Sequence, residues 1–188
     1  MKKTLVVLAH PGMETSRLNK ALIEAIKDEA HVTVHDIYAL YGTADAIDVK
    51  KEQEFLLAHE RLVFQFPLYW FSTPSLLKDW QDRVLEYGFA YGSEGNKLAN
   101  KEFKLAITVG SPEYAYQAGS YVHASLSEIL KPLQTTALFT QMIYTQPFTV
   151  HRALKISDAE LAQKALEYKV MLQSEDWSTS LLKYLQGN

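Results

Sequence analysis

The chain has 188 residues, 47% of them hydrophobic, and a formal net charge of -3 with no block of Lys or Arg. That size supports one domain with a full core, and that charge excludes a phosphate-backbone binder, which needs clustered cations; nucleic acid is not an expected partner. The absence of cysteine excludes disulfide frameworks, thiolate zinc sites and cysteine nucleophiles together.

Near the N-terminus, Lys2-Lys3 precedes the apolar run Leu5-Val6-Val7-Leu8-Ala9. The run is too short for the apolar core of a signal peptide and ends at His10-Pro11 without a small-residue cleavage site. It reads as a buried strand, Thr4–Ala9. No uncharged stretch is long enough to span a bilayer, so a cytoplasmic protein is expected. Leu18, Ala21, Leu22, Ala25 and Ile26 then recur at helical spacing and predict an amphipathic helix starting near Thr15-Ser16. Glu24, Asp28 and Glu29 form its solvated charged face.

Further strands are predicted at Val32–Ile37, Arg61–Phe66, Phe103–Val109 and Leu138–Tyr144 from their β-branched, Leu and aromatic content. The first, third and fourth strands of the set read as buried on both faces. After the third, Thr73-Pro74 offers a capping residue and a proline suited to the first helical position, with Leu76, Leu77, Trp80 and Val84 on one face behind them. Ser157-Asp158-Ala159-Glu160 is a capping box; it opens a last helix whose apolar stripe is Leu161, Ala165, Tyr168 and Leu172. His31, His35, His59 and His151 are scattered singly and lack metal-site spacing, so they read as structural or surface residues.

Strands and helices alternate without repeats or linkers, which predicts a single α/β domain: a flavodoxin-like three-layer sandwich on a five-stranded parallel sheet, with the first, third and fourth strands adjacent. Ligands in such sheets bind beyond the carboxyl ends of the strands, at the switch point. Three loops meet there. The first, His10 to Asn19, runs into a helix N-terminus, where free N–H groups, the Thr15 and Ser16 hydroxyls, Arg17 and His10 suit a phosphate monoester. It is neither a Walker loop nor a dinucleotide fingerprint, and its residues equally suit a plain helix cap.

The second loop, Pro67-Leu68-Tyr69-Trp70-Phe71, carries three consecutive aromatics, which cannot all face a core because neighbouring side chains of an extended chain point to opposite sides. Something flat or apolar should cover them, either a flavin ring or a second subunit. In the third loop, Thr108-Val109-Gly110-Ser111, Gly110 permits close backbone approach, and Tyr114 and Tyr116 follow.

The segments Ala9-His10-Pro11 with Ser16 and Asn19, Phe66 to Pro74 with Leu76-Leu77-Lys78 and Trp80, and Phe89-Ala90-Tyr91-Gly92 together resemble the flavodoxin-like NAD(P)H:quinone oxidoreductase family. The likeness is to its short-chain branch, which includes ancillary flavoproteins of glutathione-gated potassium-efflux systems. The likeness extends through Leu130 to Gln134 and Pro147-Phe148. It implies a homodimer with a flavin at each interface site, and ping-pong hydride transfer from NADH or NADPH to a quinone-like acceptor. It further implies that His10, Ser16, Arg17, Leu18 and Asn19 hold the phosphate and ribityl chain. Pro67, Leu68, Tyr69, Trp70 and Phe71 line the ring, and Thr108, Val109, Gly110 and Ser111 meet its pyrimidine edge. Tyr114 and Tyr116 are the candidates for assisting hydride transfer, with His123 a weaker one. FMN is favoured over FAD because the chain is of the short branch. Gly110-Ser111 departs from the Gly-Gly common in relatives.

Rival readings are an ancillary regulator of a membrane potassium-efflux transporter, peripheral at the inner face of the membrane, a one-electron flavodoxin carrier, and an azo or nitro-compound reductase. The mild net charge lends the carrier little support, since carriers rely on acidic steering surfaces.

Overall fold

The computed structural model describes residues 1–177. Its strands are β1 (Thr4–Leu8), β2 (Val32–Asp36), β3 (Arg61–Pro67), β4 (Glu102–Thr108), β5 (Ile143–Tyr144) and β6 (Phe148–Val150). The helices are α1 (Arg17–Ile26), α2 (Ile37–Leu40), α3 (Val49–Ala58), α4 (Ser75–Val84), α5 (Leu126–Ile129), α6 (Lys131–Phe139) and α7 (Asp158–Gln173). The sheet order is β2-β1-β3-β4-β5, with β6 also pairing β4, and every pairing is parallel.

Every residue of β1, β3 and β4 is buried, as strands covered on both faces require; their apolar content is interrupted by Arg61, Gln65, Glu102 and Lys104, which are buried too. Alternation sorts the side chains. Leu5, Val7, Leu62, Phe64, Phe66, Phe103, Leu105 and Ile107 pack under α3, α4 and α6, while Val6, Val63, Ala106 and Val150 pack under α1 and α7. The capping box at Ser157 and Glu160 forms, and the expected stripe Leu161, Ala165, Tyr168 and Leu172 is the buried face of α7.

The fifth strand differs from expectation. Leu138 and Phe139 belong to the end of α6 and are exposed, because Pro132 starts a helix there and Leu133 and Ala137, four residues apart, bury its inner face. Thr140 closes the helix by bonding back to Thr136 and Ala137 carbonyls, Gln141 turns the chain at a φ of 62°, and only Ile143–Tyr144 is strand. The fifth position is therefore shared by two short strands. A short apolar run reads alike as strand or helix end, which is how Leu138-Phe139 misleads. At α4 the observed N-cap is Pro74 rather than Thr73, without a side-chain cap.

Candidate functional site

β1 ends where the Ala9 N–H bonds the Gln65 carbonyl, 2.9 Å, and β3 ends where the Leu68 N–H bonds the Thr108 carbonyl, 2.9 Å. These ladder ends bring the three loops to one edge of the sheet. Between them lies a cavity of about 430 Å³, lined by His10, Thr15, Ser16, Arg17, Leu18, Asn19, Pro67, Leu68, Tyr69, Thr108, Gly110, Ala153 and Leu154. That is in the range of small-molecule sites, about 300–1,000 Å³. Among the described residues no carboxylate lines it.

At one end the chain enters α1. Ser16 is the N-cap, but its side chain does not cap the helix, and the Thr15 hydroxyl donates to the Gly12 carbonyl instead, 3.1 Å. The first-turn N–H groups of α1 thus lack a side-chain acceptor at the cavity wall, where the helix dipole favours an anion. Of the plain-cap alternative, the side-chain cap by Thr15 or Ser16 does not form, whereas His10 does make a turn hydrogen bond. His10 accepts the Gly12 N–H at Nδ1, 3.0 Å, so its proton sits on Nε2; burial pushes its pKa below the ordinary value, against opposing fields from Glu14 and Asp36. Asn19 is buried and fixed from three sides. Its Nδ2 donates to Thr108 Oγ1 at 3.1 Å and to Ser16 Oγ at 3.4 Å, and Gln65 Nε2 donates to its Oδ1 at 3.3 Å.

The apolar part of the lining is Leu18, Pro67, Leu68, Ala153 and Leu154, and Gly110 also lines the cavity. A Cβ built there meets nothing within 4 Å, and its φ is not in the left-handed region, so neither packing nor backbone conformation demands glycine. The space belongs to the cavity. Phosphate-binding N–H groups and hydroxyls, apolar walls and an open backbone edge fit a flavin mononucleotide in donor chemistry and in size.

Ten of the expected cofactor residues line this cavity: His10, Ser16, Arg17, Leu18, Asn19, Pro67, Leu68, Tyr69, Thr108 and Gly110. Val109 is buried in the core and Ser111 lies just behind, its carbonyl bonded by the Arg152 N–H. Trp70, 93% exposed, and Phe71 project outward. The loop is not extended at this point: Tyr69 and Ser72 pair across it, and Trp70 and Phe71 both have positive φ, 48° and 62°. Tyr114 is exposed. Tyr116 is half-buried against His151, ring centroids 5.8 Å apart, and burial raises its pKa although Ser111 opposes the shift. His123 takes a positive φ of 59° in a loop.

Sequence reasoning missed Ala153 and Leu154, which follow β6; nothing in their composition marks them, and only the position of β6 beside β4 carries them to the site. It also missed a buried network. His35 Nε2, Tyr41 OH and Trp80 Nε1 all meet the Glu52 carboxylate, and His59 is held between the Phe55 carbonyl and Thr33 Oγ1, so both histidines are structural.

The profile of a family described by its flavodoxin-like fold matches residues 2–172. An uncharacterized NAD(P)H oxidoreductase, YdeQ of Bacillus subtilis, is 51% identical over 88% of this chain and 84% of its own. The glutathione-regulated potassium-efflux system ancillary protein KefG of Yersinia enterocolitica is 41% identical over 92% and 93%. Among solved structures, general stress protein 14 of Treponema denticola in complex with FMN superposes with a TM-score of 0.85, at 40% identity over 91% and 98%. An NADPH-quinone reductase of P. pentosaceus superposes at 0.84, with 31% identity over 93% and 99%.

Proposed function

The chain belongs to the flavodoxin-like family whose profile spans residues 2–172, and from that premise we propose that it is an FMN-dependent NAD(P)H oxidoreductase delivering hydride to a quinone or similar planar acceptor. The carrying observation is the carboxylate-free cavity at the switch point, with helix N–H groups at one end and the empty Cβ position of Gly110 on its wall. FMN in the Treponema relative and quinone reductase in the name of the P. pentosaceus one support the reading.

Bound there, FMN would supply two-electron hydride chemistry, and the chain would supply position and electrostatics. The first turn of α1, with Ser16 and Thr15, would hold the phosphate. Asn19, fixed by Thr108 and Gln65, would hold the ribityl chain, and His10 would donate from Nε2. Leu68 and Tyr69 would bound the ring, and Gly110 would admit its pyrimidine edge. Donor and acceptor would use the open side of the cavity in turn, as a ping-pong cycle requires. The outward Trp70 and Phe71 suit a dimer contact, since exposed aromatics are concentrated at interfaces.

The test is to incubate the purified, FMN-loaded protein with NADH or NADPH and menadione. Acceptor-dependent oxidation of the nicotinamide supports the reading; none with either donor and several quinones contradicts it.

A second reading rests on the KefG relative: a regulator docked on a membrane potassium-efflux transporter. Among the described residues no helix is long and apolar enough to cross a membrane. Retention on vesicles containing a transporter encoded beside it, and not on empty ones, would favour this second role.

A further inference from the structure

One wall of the cavity is formed by a segment with little core of its own. Ala153 and Leu154 supply its wall, yet Leu154 is 95% exposed. Two clamps hold the segment. At one end the Arg152 N–H and His151 Nδ1 both bond the Ser111 carbonyl, 3.2 and 3.3 Å, and the Ala153 N–H bonds the Val109 carbonyl, 3.1 Å. At the other, Arg17 reaches across from the first turn of α1: Nη1 donates to the Ile156 carbonyl at 2.8 Å, and Nη2 to Asp158 Oδ1 at 2.5 Å. Within the first clamp Arg152 turns the chain at a φ of 59°, a conformation that costs free energy in a non-glycine residue and persists only where its surroundings impose it.

Family likeness assigns Arg17 to the cofactor phosphate. Its geometry indicates another task. Both terminal nitrogens are engaged, Nη1 by the Ile156 carbonyl and Nη2 by the solvent-exposed Asp158 carboxylate. A rigid planar fork suits a group that must span a carbonyl and a carboxylate on one segment. Building on the flavin reading above, we propose that Arg17 is a positioning residue: from the first turn of α1 it clasps residues 153–158 at the start of the neighbouring α7, so that Ala153 and Leu154 form an apolar wall against the ligand. The phosphate is then held by the N–H groups and hydroxyls around Ser16.

Two ligands that differ only in the phosphate test this. Apoprotein is titrated with FMN and with riboflavin, following quenching of flavin fluorescence, and backbone amide exchange is measured over residues 153–158. Arg17→Met weakens both flavins alike, by roughly fivefold, the scale of a partly exposed charged clasp, and Arg17→Lys, which keeps charge but loses the fork, does not restore either. Asp158→Asn weakens both by a smaller factor. Amides of residues 153–158 exchange faster in Arg17→Met. The proposal is overturned if Arg17→Met weakens FMN alone, if Arg17→Lys restores FMN, if Asp158→Asn tightens FMN, or if exchange is unchanged. Wild-type protein that takes neither flavin would overturn the functional reading instead, and the exchange measurement would still decide whether Arg17 is a clasp.

Discussion

Tyr69 and Ser72 exchange both backbone hydrogen bonds, 3.0 and 2.9 Å, across a two-residue turn. The residues between them are Trp70 and Phe71, at φ values of 48° and 62°, where such turns ordinarily carry Asn-Gly. Replacing them by Asn and Gly together should raise stability by about 1–2 kcal/mol in urea denaturation, through relief of left-handed strain. If the outward Trp70 and Phe71 form the dimer contact proposed above, the same double variant should lose self-association. A less stable double variant would show that the turn is not strained.

Gly110 lines the cavity where packing leaves room for a side chain. Gly110→Ala adds a Cβ that meets no protein atom within 4 Å, so stability is unchanged or rises by up to about 1 kcal/mol. FMN affinity falls by roughly tenfold or more as the methyl enters the ligand's volume. Denaturation and flavin titration on one preparation read the two effects, and undiminished FMN affinity would remove Gly110 from the site.

Glu52 is fully buried and accepts from His35 Nε2 at 2.7 Å, Tyr41 OH at 2.5 Å and Trp80 Nε1 at 2.7 Å. Burial pushes its pKa up, but these hydrogen bonds outweigh burial and hold it below the ordinary carboxylate value. The carboxylate joins β2, α3 and α4, so Glu52→Ala leaves three donors without an acceptor and costs about 3 kcal/mol or more. Urea denaturation followed by tryptophan fluorescence reports it; a loss under about 1 kcal/mol would show that water replaces the carboxylate.

Lys104 is 5% exposed, with Nζ bonded to the Gln146 carbonyl at 2.6 Å. Burial and then repulsion from Arg61 push its pKa down from 10.5 to about 8, against the pull of Glu102. Between these values the unfolded chain binds the extra proton, so Lys104 makes stability rise with pH across that window. The urea midpoint should increase from pH 7.5 to 9.5, and Lys104→Met should flatten the increase. An equal rise in the variant would assign the effect to another group.

The sheet was legible because β1, β3 and β4 are covered on both faces and read as apolar runs, and α7 because Ser157 and Glu160 cap it reciprocally. The cavity was legible at His10, Ser16, Asn19, Pro67, Leu68 and Gly110 because strand ends fix which loops converge. Three things escaped. The end of α6 was read as strand, since Leu138-Phe139 carries no period. The Trp70-Phe71 turn was hidden because aromatics seldom adopt positive φ. The wall at Ala153 and Leu154 depends on β6 pairing with β4, a contact between residues more than forty positions apart in the chain.

The central claim is that the cavity between β1, β3 and β4 holds FMN. Absorbance of the purified protein, followed by mass identification of the released chromophore and retitration of the apoprotein, tests it most directly. The expected result is a yellow protein that releases FMN and takes up one FMN per chain. A colourless protein whose apo form does not bind added FMN would contradict it.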